Sequence, residues 1–215
     1  MRLLQFVICY MLFCCSGIYA RSQDPAAPRF RVIAFYTARN DKAHISFLHE
    51  ANRWFPEMAK QYHFQYDSTN DWNNLNADFL AGYQVVLFLD TRPDQPAQRE
   101  AFQKYMENGG AWMGFHFSAF ALTPSDYPQN WDWYHNTFLG SGSYVSNTWR
   151  PTSAVLRVED PDHWTNKKYR MIYFNMGHND IDYDHKTDRE LSFTFANKME
   201  DRLIINALLW LGSRK

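Results

Sequence analysis

The sequence predicts an α/β protein whose mostly parallel β-sheet is covered by helices on both faces. Apolar runs of strand length alternate with helical segments along the chain, which is the pattern of such sheets. One run, residues 84–90 (QVVLFLD), is almost continuously apolar, as expected for a strand buried on both faces. The chain has 215 residues, 46% of them hydrophobic, which suffices for one well-filled core. We therefore expect a single domain spanning residues 30–213.

The N-terminus is typical of a signal peptide. Arg2 supplies a positive charge, and the apolar run LLQFVICYMLF that follows it is too short to cross a bilayer. Residues 18–20 (IYA) fit a signal-peptidase site. We expect residues 1–20 to be removed, residues 21–29 to form a short tether, and the mature chain to be periplasmic or secreted, without a membrane span.

All three cysteines lie in this leader. The mature chain would therefore contain no disulfide, no thiolate metal site and no cysteine nucleophile. A lipoprotein anchor on Cys14 or Cys15 is a weaker alternative, because Leu12 and Phe13 stand where smaller residues are usual. In either case the protein leaves the cytoplasm.

The strands are predicted from short runs rich in apolar, β-branched and aromatic residues. The first run follows the polar tether, and the fourth follows a pair of glycines. The six predicted strands are residues 31–37, 63–67, 84–90, 111–116, 154–159 and 170–176.

The first predicted helix covers residues 44–62. Pro56 lies inside it and is expected to kink or split it, because proline lacks an N–H and clashes with the preceding turn. The apolar residues of this segment recur at helical spacing: Leu48, Ala51, Phe55 and Met58.

Three more helical segments follow. The clearest, residues 96–110, has Pro96 in its first turn and Gly109 at its C-terminal end, which are favoured positions for these residues. Residues 75–83 predict one or two helical turns. Residues 199–212 close the chain as a helix with one apolar face: Leu203, Ile204, Ala207, Leu208 and Leu211.

Polar side chains stand where several predicted strands end. In parallel sheets, ligands bind beyond the carboxyl ends of the strands, so Thr37, Asp90, His116 and His178 are the candidates there. Asp90 is well placed to bind a sugar hydroxyl; the alternative is that it caps the next loop.

The long segment after the fourth strand is rich in aromatic residues. We consider Trp131, Trp133, His135 and Arg150 as candidate substrate-binding residues, because loops on a rigid scaffold often carry specificity and tryptophan stacks well on sugar rings. The alternative is that these side chains bury the loop against the sheet.

Three stretches of the chain resemble the trehalose-utilisation, or ThuA-like, proteins: YMENGGAWMGFHFSAFAL, FLGSGSYVSNTWRPTSAVLRVEDPDH and YRMIYFNMGHND. The resemblance extends from about residue 31 to residue 212. It implies a class I glutamine amidotransferase-like fold, which is a three-layer α/β/α sandwich of flavodoxin-like character. Relative to the family pattern, a segment is missing near residues 163–164.

The resemblance gives His116 a meaning. Amidotransferases place a cysteine at a sharp strand-to-helix elbow, and here the corresponding residues are Gly114-Phe115-His116-Phe117-Ser118. Because the cysteine is absent, glutamine amidotransfer is not expected. Their His-x-Glu pair is matched by His178-Asn179-Asp180, so His116 and His178 are expected to converge, with Asp180 orienting His178.

Two imidazoles and a carboxylate suit two chemistries. One is general acid–base catalysis by His116 and His178; the other is a divalent metal site such as zinc, held by His116, His178 and His135. His44 and His49, on the first helix, are expected to be structural.

The functional hypothesis is therefore an exported protein of trehalose or keto-sugar catabolism that acts on a sugar derivative, as a hydrolase, isomerase or lyase. The alternative is a non-catalytic carbohydrate-binding or degenerate family member. The expected partner is a small sugar. A formal net charge of -1 provides no basic surface for nucleic acid.

Overall fold

The structure, a computed structural model, describes residues 27–39, 41–124, 131–147, 168–178, 180–182, 184 and 186–213. Its centre is one β-sheet with strand order β2-β1-β3-β4-β5, in which all described pairs are parallel. This order and the helices around the sheet confirm the predicted flavodoxin-like α/β fold. The strands are β1 (Arg31–Phe35), β2 (Gln65–Thr69), β3 (Val85–Phe88), β4 (Ala111–Phe115) and β5 (Arg170–Phe174).

Four α-helices in the described part of the chain cover the two faces of this sheet, namely α1 (Lys42–Tyr62), α2 (Ala77–Leu80), α3 (Pro96–Glu107) and α4 (Lys198–Gly212). Helices α1 and α4 pack in the core on one face, and α2 and α3 in the core on the other. The alternation of side chains along a strand divides β1 between these cores. Val32 and Ala34 belong to the first, and Ile33 and Phe35 to the second.

Helix α1 is not split at Pro56, contrary to one of the two expectations for this residue. The helix runs unbroken from Lys42 to Tyr62 with the proline in its interior. The adjacent Phe55 is fully buried, with its ring 5.3 Å from that of Tyr66 and 6.2 Å from that of Phe115. This packing holds the helix on the sheet and offsets the hydrogen bond that proline cannot make.

Helix α3 has the predicted ends. Pro96 is in its first turn, and Gly109 follows its last residues with a φ of +86°. The segment predicted as a long loop is partly helical, because Trp133–Leu139 forms a π-helical stretch. Tyr134 and Phe138 of this stretch are buried in the core that contains α2 and α3. This burial explains why the segment is helical although its sequence predicts a loop.

Several predictions fall outside the described residues. These are the leader at residues 1–20, the strand at residues 154–159, the junction near 163–164, and Arg150. Within the described residues, no helix is both long enough and apolar enough to cross a membrane.

Candidate functional site

A buried carboxylate at the end of β3 shapes the entrance to the site. Asp90 accepts hydrogen bonds from the backbone N–H of Thr37 (2.9 and 3.1 Å to its two oxygens), from the Thr37 hydroxyl (2.7 Å) and from the N–H of Ala38 (3.0 Å). Ala38 has a φ of 54°, an unfavourable conformation for alanine. Asp90 therefore fixes the turn that leaves β1, rather than presenting its carboxylate to a ligand, and burial raises its pKa.

This turn delivers Asp41 to the N-terminus of α1. One carboxylate oxygen of Asp41 accepts the N–H of Ala43 at 2.8 Å, which is the standard bond of a helix N-cap. The other oxygen is left to face a partner outside the helix. His44 follows three residues later, so it lies on the same side of the first turn as Asp41.

His116 leaves the end of β4 in a strained conformation. It begins a 3₁₀ turn, His116–Ala119, with a φ of 37°, in the left-handed region that few non-glycine residues adopt. Gly177 makes room for it. A Cβ on Gly177 would stand 3.2 Å from the Cβ of His116, and the φ of +125° at Gly177 also favours glycine.

Two residues at the end of β5 orient the His116 ring and its backbone. The Tyr173 hydroxyl lies 2.7 Å from the carbonyl oxygen of His116, to which it donates. Nδ1 of His116 lies 3.3 Å from Oδ1 of Asn175. Because Oδ1 of an amide only accepts, this contact assigns the proton to Nδ1 and leaves the lone pair on Nε2.

Three imidazoles meet at this edge of the sheet. The ring centroids of His44, His116 and His178 are separated by 5.1 Å (44–116), 4.9 Å (44–178) and 5.3 Å (116–178). We call these three residues the histidine cluster. Asp41 adjoins it, with Oδ2 3.0 Å from Nε2 of His178.

The electrostatics keep His44 and His116 neutral and Asp41 charged. Burial lowers the pKa of His44 to about 3, and repulsion from His116 adds to the shift. Burial also lowers the pKa of His116 to about 4, with repulsion from His178 as the second cause. The hydrogen bond from His178 is the main reason that the pKa of Asp41 lies well below its usual range. Neutral imidazoles can accept a proton or bind a metal ion.

One nitrogen of the cluster stands out. Nε2 of His44 is buried, yet it has no hydrogen-bond partner in the described part of the chain. A buried polar atom without a partner costs free energy, on the order of 1–3 kcal/mol. Such an atom is often explained by a ligand that occupies the site in the functional state.

Aromatic rings border the cluster on one side. The ring of Phe117 lies 5.5 Å from that of His44 and stacks on Phe120 at 4.4 Å. Both phenylalanines are half-buried. Their position beside the imidazoles suits an organic ligand with an apolar face, such as a sugar ring.

Asp180, predicted to orient His178, has both carboxylate oxygens engaged with the backbone of its own loop. Oδ1 accepts the N–H of Asp182 at 2.7 Å, and Oδ2 accepts the N–H of Leu191 at 2.8 Å. Asp180 is almost fully buried. The carboxylate that bonds to the His178 ring in the structure is that of Asp41.

His135, predicted as a third metal ligand or a substrate contact, is fully buried away from the cluster. Its Nδ1 faces the carbonyl oxygen of Trp131 at 3.2 Å, and its Nε2 faces that of Phe120 at 3.3 Å. Burial lowers its pKa, with the nearby Arg92 as the second cause. Because His135 is fully buried and both of its nitrogens lie against backbone carbonyls, neither is accessible to a metal ion.

Trp131 and Trp133, predicted to stack on a sugar, instead pack the polypeptide together. Trp131 is 8% exposed and stacks on Tyr134 with ring centroids 4.7 Å apart. Trp133 stacks on Phe138 at 5.2 Å. These four aromatic residues and His135 are called the aromatic block below.

A surface groove of about 480 Å³ lies along α3, on the face of the sheet opposite α1. Side chains of Arg99, Glu100 and Gln103 line it together with the edge of Trp131. It contains neither strained backbone nor a histidine. Three imidazoles, a carboxylate and a strained backbone instead lie together at the histidine cluster, and we place the candidate site there.

Asp41 and His44 contribute to the candidate site but were not predicted from the sequence to belong to it. His44 was expected to be structural because it lies on a helix rather than at a strand end. The available signal was an aspartate at the N-cap with a histidine three residues later, on the turn that follows β1. His49, expected to be structural, pairs with Glu190 on the exposed side of α1.

One family model and one solved structure agree with this fold. The family model of ThuA, described as trehalose utilisation, matches residues 31–169. The crystal structure of a ThuA-like protein from Bacteroides uniformis superposes with a TM-score of 0.68 at 25% identity, over 89% of this chain and 94% of that one. The crystal structure of a ThuA-like protein from Parabacteroides merdae gives a TM-score of 0.28 at 17% identity, over 44% of this chain and 34% of that one. No match to a curated protein was found. Because the family model covers more than half of its length, the chain belongs to the ThuA (trehalose utilisation) family.

Proposed function

We propose that the histidine cluster is the active site of a sugar-transforming enzyme, in which His116 transfers a proton to or from a sugar derivative. Family membership supports a carbohydrate-related role. The observation that carries the catalytic proposal is the geometry of His116. A strained φ of 37° places its imidazole beside two others at the carboxyl end of the sheet, where parallel sheets bind their ligands.

The surroundings of His116 leave its imidazole neutral, with one ring nitrogen open to a substrate. Its Nδ1 is held by Asn175, so the lone pair on Nε2 is available to a substrate. Its low pKa keeps the ring neutral at pH 7. The stacked pair Phe117 and Phe120 offers an apolar surface for the sugar ring. Amidotransferase chemistry is not proposed, because cysteines occur only at positions 9, 14 and 15 of the sequence.

His116→Asn tests the proposal, because asparagine tolerates the left-handed backbone that alanine would strain. The full chain is incubated with trehalose and with keto derivatives of glycosides, and products are followed by NMR. Loss of general acid–base catalysis predicts a decrease in turnover of at least about 100-fold. His49→Asn, on the exposed side of α1, is the matched control and should retain turnover. Undiminished turnover in a folded His116→Asn variant would falsify the role of His116.

A non-catalytic carbohydrate-binding protein is the second candidate. The stacked Phe117 and Phe120 beside the cluster favour it, because aromatic rings suit the apolar faces of sugars and such a contact requires no chemistry. The same time course separates the two candidates. Saturable binding with no product over many hours indicates a binding protein, whereas conversion of the sugar rules it out.

A further inference from the structure

We propose that Asp41, His44 and His178 bind a divalent transition-metal ion, with His116 beside the ion. Metal binding would supply the cofactor of the proposed active site, and its use in catalysis rests on the proposed function. Binding of the ion is nevertheless a separate property, measurable without any sugar.

The three side chains already stand close to the arrangement that an ion requires. One ligand atom from each residue can be chosen so that all three lie within 4.8 Å of one another. Oδ2 of Asp41 and Nε2 of His178 are 3.0 Å apart. Ligand atoms on a tetrahedral ion with bonds of about 2.0–2.1 Å are separated by roughly 3.3 Å. The Asp41–His178 pair thus needs little adjustment, and a ligand atom of His44 lies within 4.8 Å of both partners.

The state of His44 points to a ligand rather than to a structural role. Its Nε2 is buried and has no hydrogen-bond partner among the described residues. Its ring lies against those of His116 and His178. A metal ion would satisfy this nitrogen with a bond that the protein itself does not provide.

The ligand set indicates the class of ion. Two imidazoles and one carboxylate suit zinc and similar first-row ions, whereas calcium and magnesium prefer oxygen ligands. Three protein ligands are also the number found in catalytic zinc sites, where the fourth position is open to water or substrate. We therefore expect Zn²⁺ to bind, and we use it as the probe.

Asp41 has supports of the kind that metal ligands usually have. Its second oxygen is held by the N–H of Ala43, which fixes the direction of the carboxylate. It supplies the negative charge that a cation needs at the N-terminus of a helix, where the helix dipole is unfavourable to cations. The nearby Asp90 clamps the turn that leads to Asp41.

Asp41→Asn is the sharpest variant, because asparagine caps helices as well as aspartate does. It should keep the fold while removing the charged ligand. His44→Gln removes the second ligand, and His49→Gln, on the exposed side of the same helix, is the matched control. The full chain, purified without a histidine tag, is dialysed against Zn²⁺. Bound metal is measured by elemental mass spectrometry, and affinity by competition with a chromogenic chelator.

We expect about one zinc per chain in the wild type and in His49→Gln, and an affinity more than about tenfold weaker in Asp41→Asn and in His44→Gln. Tetrahedral absorption bands on Co²⁺ substitution, lost in the same two variants, would support the site independently. Wild-type protein that binds no zinc, or zinc affinity unchanged in both folded variants, would overturn it. Turnover that depends on His116 but continues in metal-free protein would overturn the use of the ion as a cofactor and leave the proposed function standing. Bound metal without turnover of any sugar would support the metal site and overturn the proposed function.

Discussion

The aromatic block contains one fully buried imidazole and the histidine cluster contains three half-buried ones, and their ring nitrogens face different surroundings. In the aromatic block, each nitrogen of His135 faces a main-chain carbonyl oxygen. In the cluster, His44 has a buried nitrogen that no described residue bonds, and its ring faces two other imidazoles. The first arrangement completes a core. The second leaves a buried nitrogen unpaired, which a bound ligand would satisfy.

The carboxylates divide in the same way. Asp90 and Asp180 accept backbone N–H groups with both of their oxygens and hold loops in place. Asp41 uses one oxygen to cap α1 and directs the other at His178. A buried polar residue at a strand end is therefore not sufficient to mark a site. What distinguishes the site is a polar atom that the backbone does not already use.

The largest effect that we predict is a loss of stability when a side chain of the aromatic block is removed. Trp131→Ala removes a ring that stacks on Tyr134 and contacts Phe102, so we expect a loss of about 3 kcal/mol in the free energy of unfolding. Zinc affinity and sugar turnover should be unchanged at temperatures where the variant is folded. Chemical denaturation measures the free energy of unfolding, and the assays described above measure zinc affinity and sugar turnover.

Trp131→Phe is the conservative control and should recover part of the lost stability. If Trp131→Ala instead abolished sugar binding with no loss of stability, Trp131 would be a ligand contact, and the separation of the two regions would be wrong.

A smaller effect is expected where the scaffold supports the cluster. Asp90→Asn replaces one acceptor oxygen by an NH₂ group, which then faces the N–H donors of Thr37 and Ala38. We expect a loss of about 2 kcal/mol in unfolding free energy, from broken charged hydrogen bonds and an opposed donor. Zinc affinity should also fall, because the turn before Asp41 loosens.

Asp94→Asn is the matched control, since Asp94 is an exposed carboxylate four residues further along the chain. Its effect on stability should stay within about 0.5 kcal/mol. Equal stability of the two variants would show that the Asp90 clamp contributes little to the turn.

The fold could be predicted from the sequence because local signals, namely apolar runs and residues typical of helix ends, mark most of its elements. Strands β1, β3, β4 and β5 were predicted from their apolar runs, and the ends of α3 from Pro96 and Gly109. Strand β2 lies two residues further along the chain than predicted. The predictions of secondary structure were wrong where tertiary packing, rather than local sequence, determines the conformation. Phe55 anchors α1 across Pro56, and burial of Tyr134 makes a helical stretch within a predicted loop.

The sequence predicted the site in part. His116 and His178 do converge, because strand ends share one edge of a parallel sheet. Asp41 and His44 were missed, since nothing in local spacing shows that the N-terminus of α1 lies against the ends of β4 and β5. Trp131 and His135 were chosen for their chemistry, but their burial depends on contacts with α3 and with distant backbone carbonyls.

The smallest expected effect is on the pH dependence of stability without metal. The pKa of His44 is about 3 in the folded chain, below the ordinary value of 6.5, so the unfolded chain binds more protons between these values. In chelator, wild-type stability should therefore fall as pH decreases from 6.5 towards 3, and His44 should contribute on the order of 1 kcal/mol by pH 5. His44→Leu should flatten the decrease, whereas His49→Leu, on the exposed side of α1, should leave it unchanged. Thermal unfolding at pH 7, 6 and 5 measures both. A decrease equally steep in His44→Leu would mean that His44 is solvated and satisfied in the metal-free chain, like an ordinary surface histidine, and the contrast with His135 would no longer hold.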